Sequence, residues 1–171
     1  MKNIPKMLDY TLLTEYGRAI IARAGFLASR IEYVKEAGGR QISVMHVGAD
    51  YLVWTAYSNE HMMKLYPIFL TENGEKIKKH ENVENKKLDL VGPLCFSADN
   101  VCTNLDWIPD LKADCCVILP IVGAYTLACW SKFNTRSVPA IYLLNKNNEL
   151  KCVRPRESVE QNLSFWKTEE C

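Results

Sequence analysis

YTLLTEYGRAIIARAGFLASRIEYVKEAGGRQISVMHV, residues 10–47, changes its hydrophobic period as it runs, and that change decides the fold. Tyr10 to Thr14 is a short apolar, β-prone run, and Gly17-Arg18 turns the chain into RAIIARAG. That piece has helical spacing over about two turns and ends at Gly25. A strand, a turn and a short helix make half of a βα unit. From Phe26 the period becomes two: Leu27, Ile31 and Tyr33 fall on one face, Arg30 and Glu32 on the other. Gly38-Gly39 then turns this strand into QISVMHV, which predicts an antiparallel pair.

Downstream, SNEHMMKLYP (58–67) reads as a short helix capped by Ser58 or Asn59 and stopped by Pro67. Glu72 to Lys87 mixes charges with almost no hydrophobe and reads as a solvated loop. Further strands are expected at 67–71, 87–95, 114–119, 125–132, 138–144 and 149–153. SVEQNLSFW has helical spacing behind a Ser158 cap. Short strands joined by turns predict a mainly β fold, a barrel or sandwich over residues 26–171, preceded by an α/β remnant at 1–25.

The 171 residues are 48% apolar and 24% charged, with a net charge of +1, so bulk charge does not hold this protein on nucleic acid. No uninterrupted apolar stretch is long enough to span a membrane. The lead MKNIPKMLDY lacks the apolar core of a signal peptide, which points to the cytoplasm. Seven Cys, with no C-x-x-C pair and no His at ligand spacing, predict neither a disulfide framework nor a structural metal site. Most of the thiols should be buried and inert.

Three clusters carry candidate chemistry. Thr14-Glu15-Tyr16-Gly17-Arg18 lies at the carboxyl end of the predicted first strand, where α/β folds bind ligands. Gly17 lets backbone approach a phosphate, and the Arg18 fork matches phosphate bidentately. In GPLCFSAD (92–99) Gly-Pro breaks the preceding strand and puts Cys95 on a loop. In Gly123-Ala124-Tyr125-Thr126 a glycine frees the backbone just before a Tyr. Taken singly, these also read as a strand end with an exposed ion pair, a buried thiol, and a core or interface tyrosine.

In order, they resemble the ornithine/diaminopimelate/arginine decarboxylases, pyridoxal-phosphate enzymes of the alanine-racemase type of fold. TEYGRAIIARAGFLASRIEYVKE is similar to that family's E-P-G-R segment and its continuation, and GPLCFSAD to its G-P-x-C-[E/D] loop. GAYTLACWSKFN is similar to its G-A-Y element, and VRPRES to its closing R-x-R-E-[ST]. The resemblance implies that residues 1–25 are the last βα unit of a (β/α)8 barrel and 26–171 the C-terminal β-domain.

It also implies roles. Glu15 would face the pyridine nitrogen, favouring its protonated form by opposite charge. Gly17, Arg18 and Tyr125 would bind the cofactor phosphate. Cys95 would be the proton donor at a subunit interface, and a thiol's ordinary pKa of about 8.5 suits that task. Asp50, in GADYLVWTAY, would meet a substrate amine.

Three positions depart from the pattern. Tyr16 replaces Pro in the turn, Phe96 replaces the acid that holds a distal amine, and Val53 stands where diaminopimelate decarboxylases carry a substrate-binding Arg. These changes argue against diaminopimelate and leave open which small amino acid or amino-acid-like substrate is used. The family's Schiff-base Lys lies in the first seven βα units, which this sequence does not match. The expectation is one subunit of a split decarboxylase, active with a barrel-bearing partner in a hetero-oligomer such as a dimer of heterodimers. The alternatives are a non-catalytic module that regulates a full-length decarboxylase, and a fragment of a longer enzyme.

Overall fold

A two-residue Gly38-Gly39 loop joins β1 (Phe26–Ala37) to β2 (Arg40–Met45), with Ala37 opposite Arg40. Both glycines have positive φ, +58° and +74°, the hand that matches the twist of the strands they connect. In the computed structural model, which describes residues 11, 13–57, 65–78 and 86–167, this hairpin is the centre of a six-stranded sheet. The others are β3 (Ile68–Leu70), β4 (Lys87–Val91), β5 (Asn100–Asp106) and β6 (Cys116–Pro120), in the order β3-β6-β1-β2-β4-β5. Among the described strands only β2 and β4 pair in parallel.

β1 serves two edges. Phe26–Arg30 pairs with β6, Ile31–Ala37 pairs with β2, and the register breaks between Ile31 and Tyr33. The break raises the local twist, so the sheet curls into a half-barrel. Inside it lie Ile31, Met45, Leu52, Leu88, Leu90, Ile108, Val117 and Leu119, each 1% exposed or less. Each buried side chain of this kind contributes about 1.5–3 kcal/mol. Across the parallel pair Arg40 grips Asp89 with two hydrogen bonds of 2.5 Å, and the Asn104 amide donates to the same carboxylate at 3.0 Å, tying β2, β4 and β5 together.

Beyond β6 the chain runs as a long loop to a separate hairpin, β7 (Ile141–Leu144) and β8 (Leu150–Arg154), and then to α2 (Val159–Ser164). Ser158 and Gln161 close a capping box at the start of α2. α2 is fastened back to the loop by a cluster of three side chains. Lys132 Nζ donates to both Glu157 oxygens at 2.7 and 2.8 Å and to Asn162 Oδ1 at 3.0 Å. Among the described residues no helix is long and apolar enough to cross a membrane.

The architecture is the expected mainly β one, with differences in detail. The expected helix at 18–25 is α1 (Arg18–Ile21) followed by a 3-10 turn, Ala22–Ala24. Thr11, Leu13 and Thr14, from the predicted first strand, lie in no strand, and no sheet edge among the described residues pairs with them. The expected strand at 125–132 is irregular, since Tyr125 takes a left-handed φ of +59° that no strand accepts. β5 was not expected from the sequence at all. Most of the predicted helix at 58–67 lies outside the described residues, as does 79–85 of the polar loop. The described part of that loop turns at Gly74 and returns Ile77, 8% exposed, to the core.

Candidate functional site

Gly17 precedes α1, and Arg18 opens it. The guanidinium of Arg18 lies between two rings, 4.9 Å from the centroid of Trp54 and 5.1 Å from that of Tyr125. Trp54 is supplied by a 3-10 turn, Val53–Thr55, and is 5% exposed. Each such contact is worth about 0.5–2 kcal/mol, depending on how dry the cation is. Arg18 Nη1 is buried and has no hydrogen-bond partner among the described residues.

Tyr125 arrives from the β6–β7 loop, which docks on the first helical turns through backbone hydrogen bonds. Val122 N donates to Gly25 O at 3.0 Å, and Gly123 N to Ala22 O at 2.9 Å. A positive φ is a strained state for a bulky residue such as Tyr125, and such strain persists only where the surroundings enforce it. Its phenol presses on Gly17. A Cβ there would stand 3.3 Å from Tyr125 Cζ and closer still to the hydroxyl oxygen, so a side chain at this position would displace the ring.

Cys95 is exposed on the Gly92–Asp99 loop. The loop is closed around Asp99, which is 4% exposed. Asp99 Oδ1 accepts from Ala49 N at 2.6 Å, and Asp99 Oδ2 from Leu94 N at 2.7 Å. Gly92 N donates to Asp99 O at 2.9 Å, and Asp99 N to Phe96 O at 3.1 Å. Burial pushes the Asp99 carboxyl above its ordinary range, against the pull of the two amides. Cβ atoms at Gly48 or Gly92 would collide with this carboxylate.

Beside Asp99, the Asp50 side chain is wholly buried and accepts from Gly48 N at 3.1 Å and Arg136 Nε at 2.9 Å. Arg136 also donates through Nη2 to His46 O, and Ser131 N donates to Asp50 O at 3.1 Å. The expected partner of a substrate amine is thus engaged with an arginine of the β6–β7 loop. Phe96, 44% exposed, tilts against Phe133, 48% exposed, with centroids 6.1 Å apart.

The expected residues therefore fall in two groups. Gly17, Arg18 and Tyr125 meet, with exposed Glu15 two residues before Gly17. Cys95 and Phe96 sit on a second loop, joined through Asp99, Ala49, Asp50 and Arg136 to the loop that carries Tyr125. Trp54, Asp99, Phe133 and Arg136 were not singled out by the sequence reading. Trp54, Asp99 and Phe133 lie inside the motifs given above, but Trp54 meets Arg18, Asp99 meets Ala49 and Phe133 meets Phe96, each far away in the chain.

The phosphate implied by the sequence resemblance fits these residues. Arg18 offers a buried, unused donor between two rings, and the Tyr125 hydroxyl lies beside it against Gly17.

Comparison with known proteins gives the family and the fold. Residues 19–123 match the model of the pyridoxal-dependent decarboxylase C-terminal sheet domain. Diaminopimelate decarboxylase of Helicobacter pylori is 27% identical over 164 residues, 95% of this chain and 36% of that protein. The Buchnera aphidicola diaminopimelate decarboxylase is 29% identical over 177 residues, 97% of this chain and 40% of that protein. A crystal structure of diaminopimelate decarboxylase superposes with a TM-score of 0.74 at 24% identity, over 88% of this chain and 35% of that one. The chain spans little more than a third of the length of the curated relatives it matches.

Proposed function

The chain belongs to the pyridoxal-dependent decarboxylases through their C-terminal sheet domain, and from that premise we propose that it is the sheet-domain half of a pyridoxal-phosphate-dependent amino-acid decarboxylase. The observation that carries this reading is the Arg18 slot, with its orphaned Nη1, its glycine floor and its tyrosine hydroxyl, in the same chain as a thiol on a braced loop. Bound pyridoxal phosphate supplies the electron sink for loss of the substrate carboxyl group. Arg18 and Tyr125 would hold its phosphate beside the Gly17 backbone, and Glu15 would supply an opposite charge favouring a protonated pyridine nitrogen. Cys95 Sγ gives its proton to the substrate Cα once the carboxyl group has left.

The lysine that carries the cofactor comes from a barrel outside this chain. A separate barrel subunit, in a cytoplasmic hetero-oligomer with the site at the subunit interface, meets the requirement. A barrel on the same polypeptide, of which this chain is one part, meets it as well, and the short span against the relatives favours that second arrangement equally. The substrate is a small amino acid or amino-acid-like molecule. Neither residue 96, a Phe, nor Asp50, held by Arg136, offers a free carboxylate to a distal amine, and Val53 offers no cation to a distal carboxylate. Diaminopimelate is therefore a poor fit.

Cys95→Ala tests the chemistry. In the assembled enzyme it is expected to slow turnover or divert it to wrongly protonated product, while cofactor binding survives. Unchanged rate and unchanged product would remove Cys95 from the reaction.

A further inference from the structure

The two carboxylates beneath the Cys95 loop are buried, adjacent and divided in their duties. Asp50 is neutralised by Arg136 and holds the β6–β7 loop. Asp99 makes no ion pair with that arginine; its two oxygens are spent on two backbone amides from different segments, Ala49 in the turn after β2 and Leu94 immediately before Cys95. Bonds of 2.6 and 2.7 Å from amides to a carboxylate are of the short, charge-assisted kind. The space around the carboxylate is shaped for it by Gly48 and Gly92, where any side chain would strike its oxygens.

We infer that Asp99 is a positioning residue for Cys95, fixing the thiol-bearing loop against the Gly48–Asp50 turn and hence against the loop that presents Tyr125. This rests on the proposed role of Cys95 and extends it. An exposed loop with no side chain in the core would otherwise sample many conformations, and a proton donor must be held within hydrogen-bond reach of its acceptor to be effective. The brace supplies that restraint from below and leaves the Cys95 thiol itself exposed. The charged groups facing Asp99 are Asp50 and Arg136, which balance one another.

Two measurements decide it. In the chain itself, Asp99→Asn keeps the size of the side chain but turns an amide NH2 toward one of the two backbone donors. The backbone order parameter at Cys95 is expected to fall from the rigid value of about 0.85 toward or below about 0.6. Asp89→Asn, which breaks the equally well-bonded carboxylate of the β2–β4 pair, serves as the control for general loosening and is expected to leave Cys95 rigid. An unchanged Cys95 in Asp99→Asn, or equal loosening in both variants, overturns the inference. In the assembled enzyme, Asp99→Asn is expected to reproduce the product diversion of Cys95→Ala with cofactor affinity intact. If Cys95→Ala diverts product and Asp99→Asn only lowers turnover, Asp99 is structural and the inference fails. If Cys95→Ala changes neither rate nor product, the fault lies in the proposed role of Cys95, and the order parameters still report on the brace.

Discussion

Replacing Arg136 by Met removes the cation that balances a carboxylate with no exposed side-chain surface. Asp50 is then left with the Gly48 amide alone, and the His46 carbonyl loses its Arg136 donor. Breaking one side of a fully buried pair costs about 3–5 kcal/mol. Arg136 is 28% exposed, so the pair is not wholly dry, and the lower end, about 3 kcal/mol, is expected. Asp50→Asn keeps the shape and frees the arginine to turn toward water, which limits its cost to about 2 kcal/mol. The double variant removes the uncompensated charge from both sides. It should be less destabilised than the sum by about 1–2 kcal/mol, the coupling of residues in direct contact. Urea unfolding of the four proteins, followed by tryptophan fluorescence, measures this cycle. For a chain of this size the Arg136→Met change lowers Tm by about 6–12 °C. An Arg136→Met protein within about 0.5 kcal/mol of the parent, the range of ordinary surface changes, would refute the reasoning. So would additive single substitutions.

Gly17→Ala drives a Cβ into the Tyr125 phenol, and Arg18→Ala removes the phosphate fork. In the assembled enzyme each should weaken pyridoxal phosphate, Arg18→Ala by about 10–150-fold, the loss of a charged hydrogen bond. An unaltered cofactor dissociation constant in Arg18→Ala places the phosphate elsewhere. Stability should also fall in acid. The Arg40 hydrogen bonds hold Asp89, and the Lys132 hydrogen bond holds Glu157, below the ordinary carboxyl range. Both contributions are present above the unfolded carboxyl pKa and are lost as pH falls through the lowered folded values. The urea midpoint should therefore drop from about pH 4 downward, less steeply in Asp89→Asn. Asp99 acts with the opposite sign, because its raised carboxyl makes ionisation costly as pH rises above the ordinary Asp range. A midpoint flat from about pH 5 to pH 2 would contradict both assignments.

The parts of the fold legible in the sequence are those set by local rules. The period-two pattern of Phe26–Ile31, the Gly38-Gly39 turn and the Ser158 cap each carry their own instruction, and each is found in place; past the register break the expected face is lost, with Tyr33 56% exposed and Val34 against the core instead. β5 gave no such signal. Its residues NVCTNLD bury Val101 and Cys102 side by side, and its register against β4 shifts twice, so alternation is lost. Parallel pairing of β2 with β4 depends on a long crossover that no local pattern encodes. The 125–132 stretch has apolar residues enough for a strand, but docking of Gly123 on Ala22 commits Tyr125 to a left-handed turn.

The candidate site divides in the same way. Its glycines, Arg18, Tyr125 and Cys95 were readable from motif order. The partners that hold them were not, because Trp54 and Asp99 act across more than thirty residues of intervening chain. Asp50 shows the converse: a carboxylate in a plausible binding segment, committed by the fold to Arg136.

The most direct test is to purify this chain, tagged, from its native source and record the absorbance spectrum of what elutes. The account predicts a barrel-bearing decarboxylase polypeptide, separate or continuous with this chain, and a band near 420 nm, the approximate position for pyridoxal phosphate held by a protein lysine. A separate barrel of matching size establishes the split enzyme, and a continuous one the single-chain form. A colourless chain eluting alone, or one bound to a decarboxylase already complete with its own sheet domain, would contradict a role in the active site.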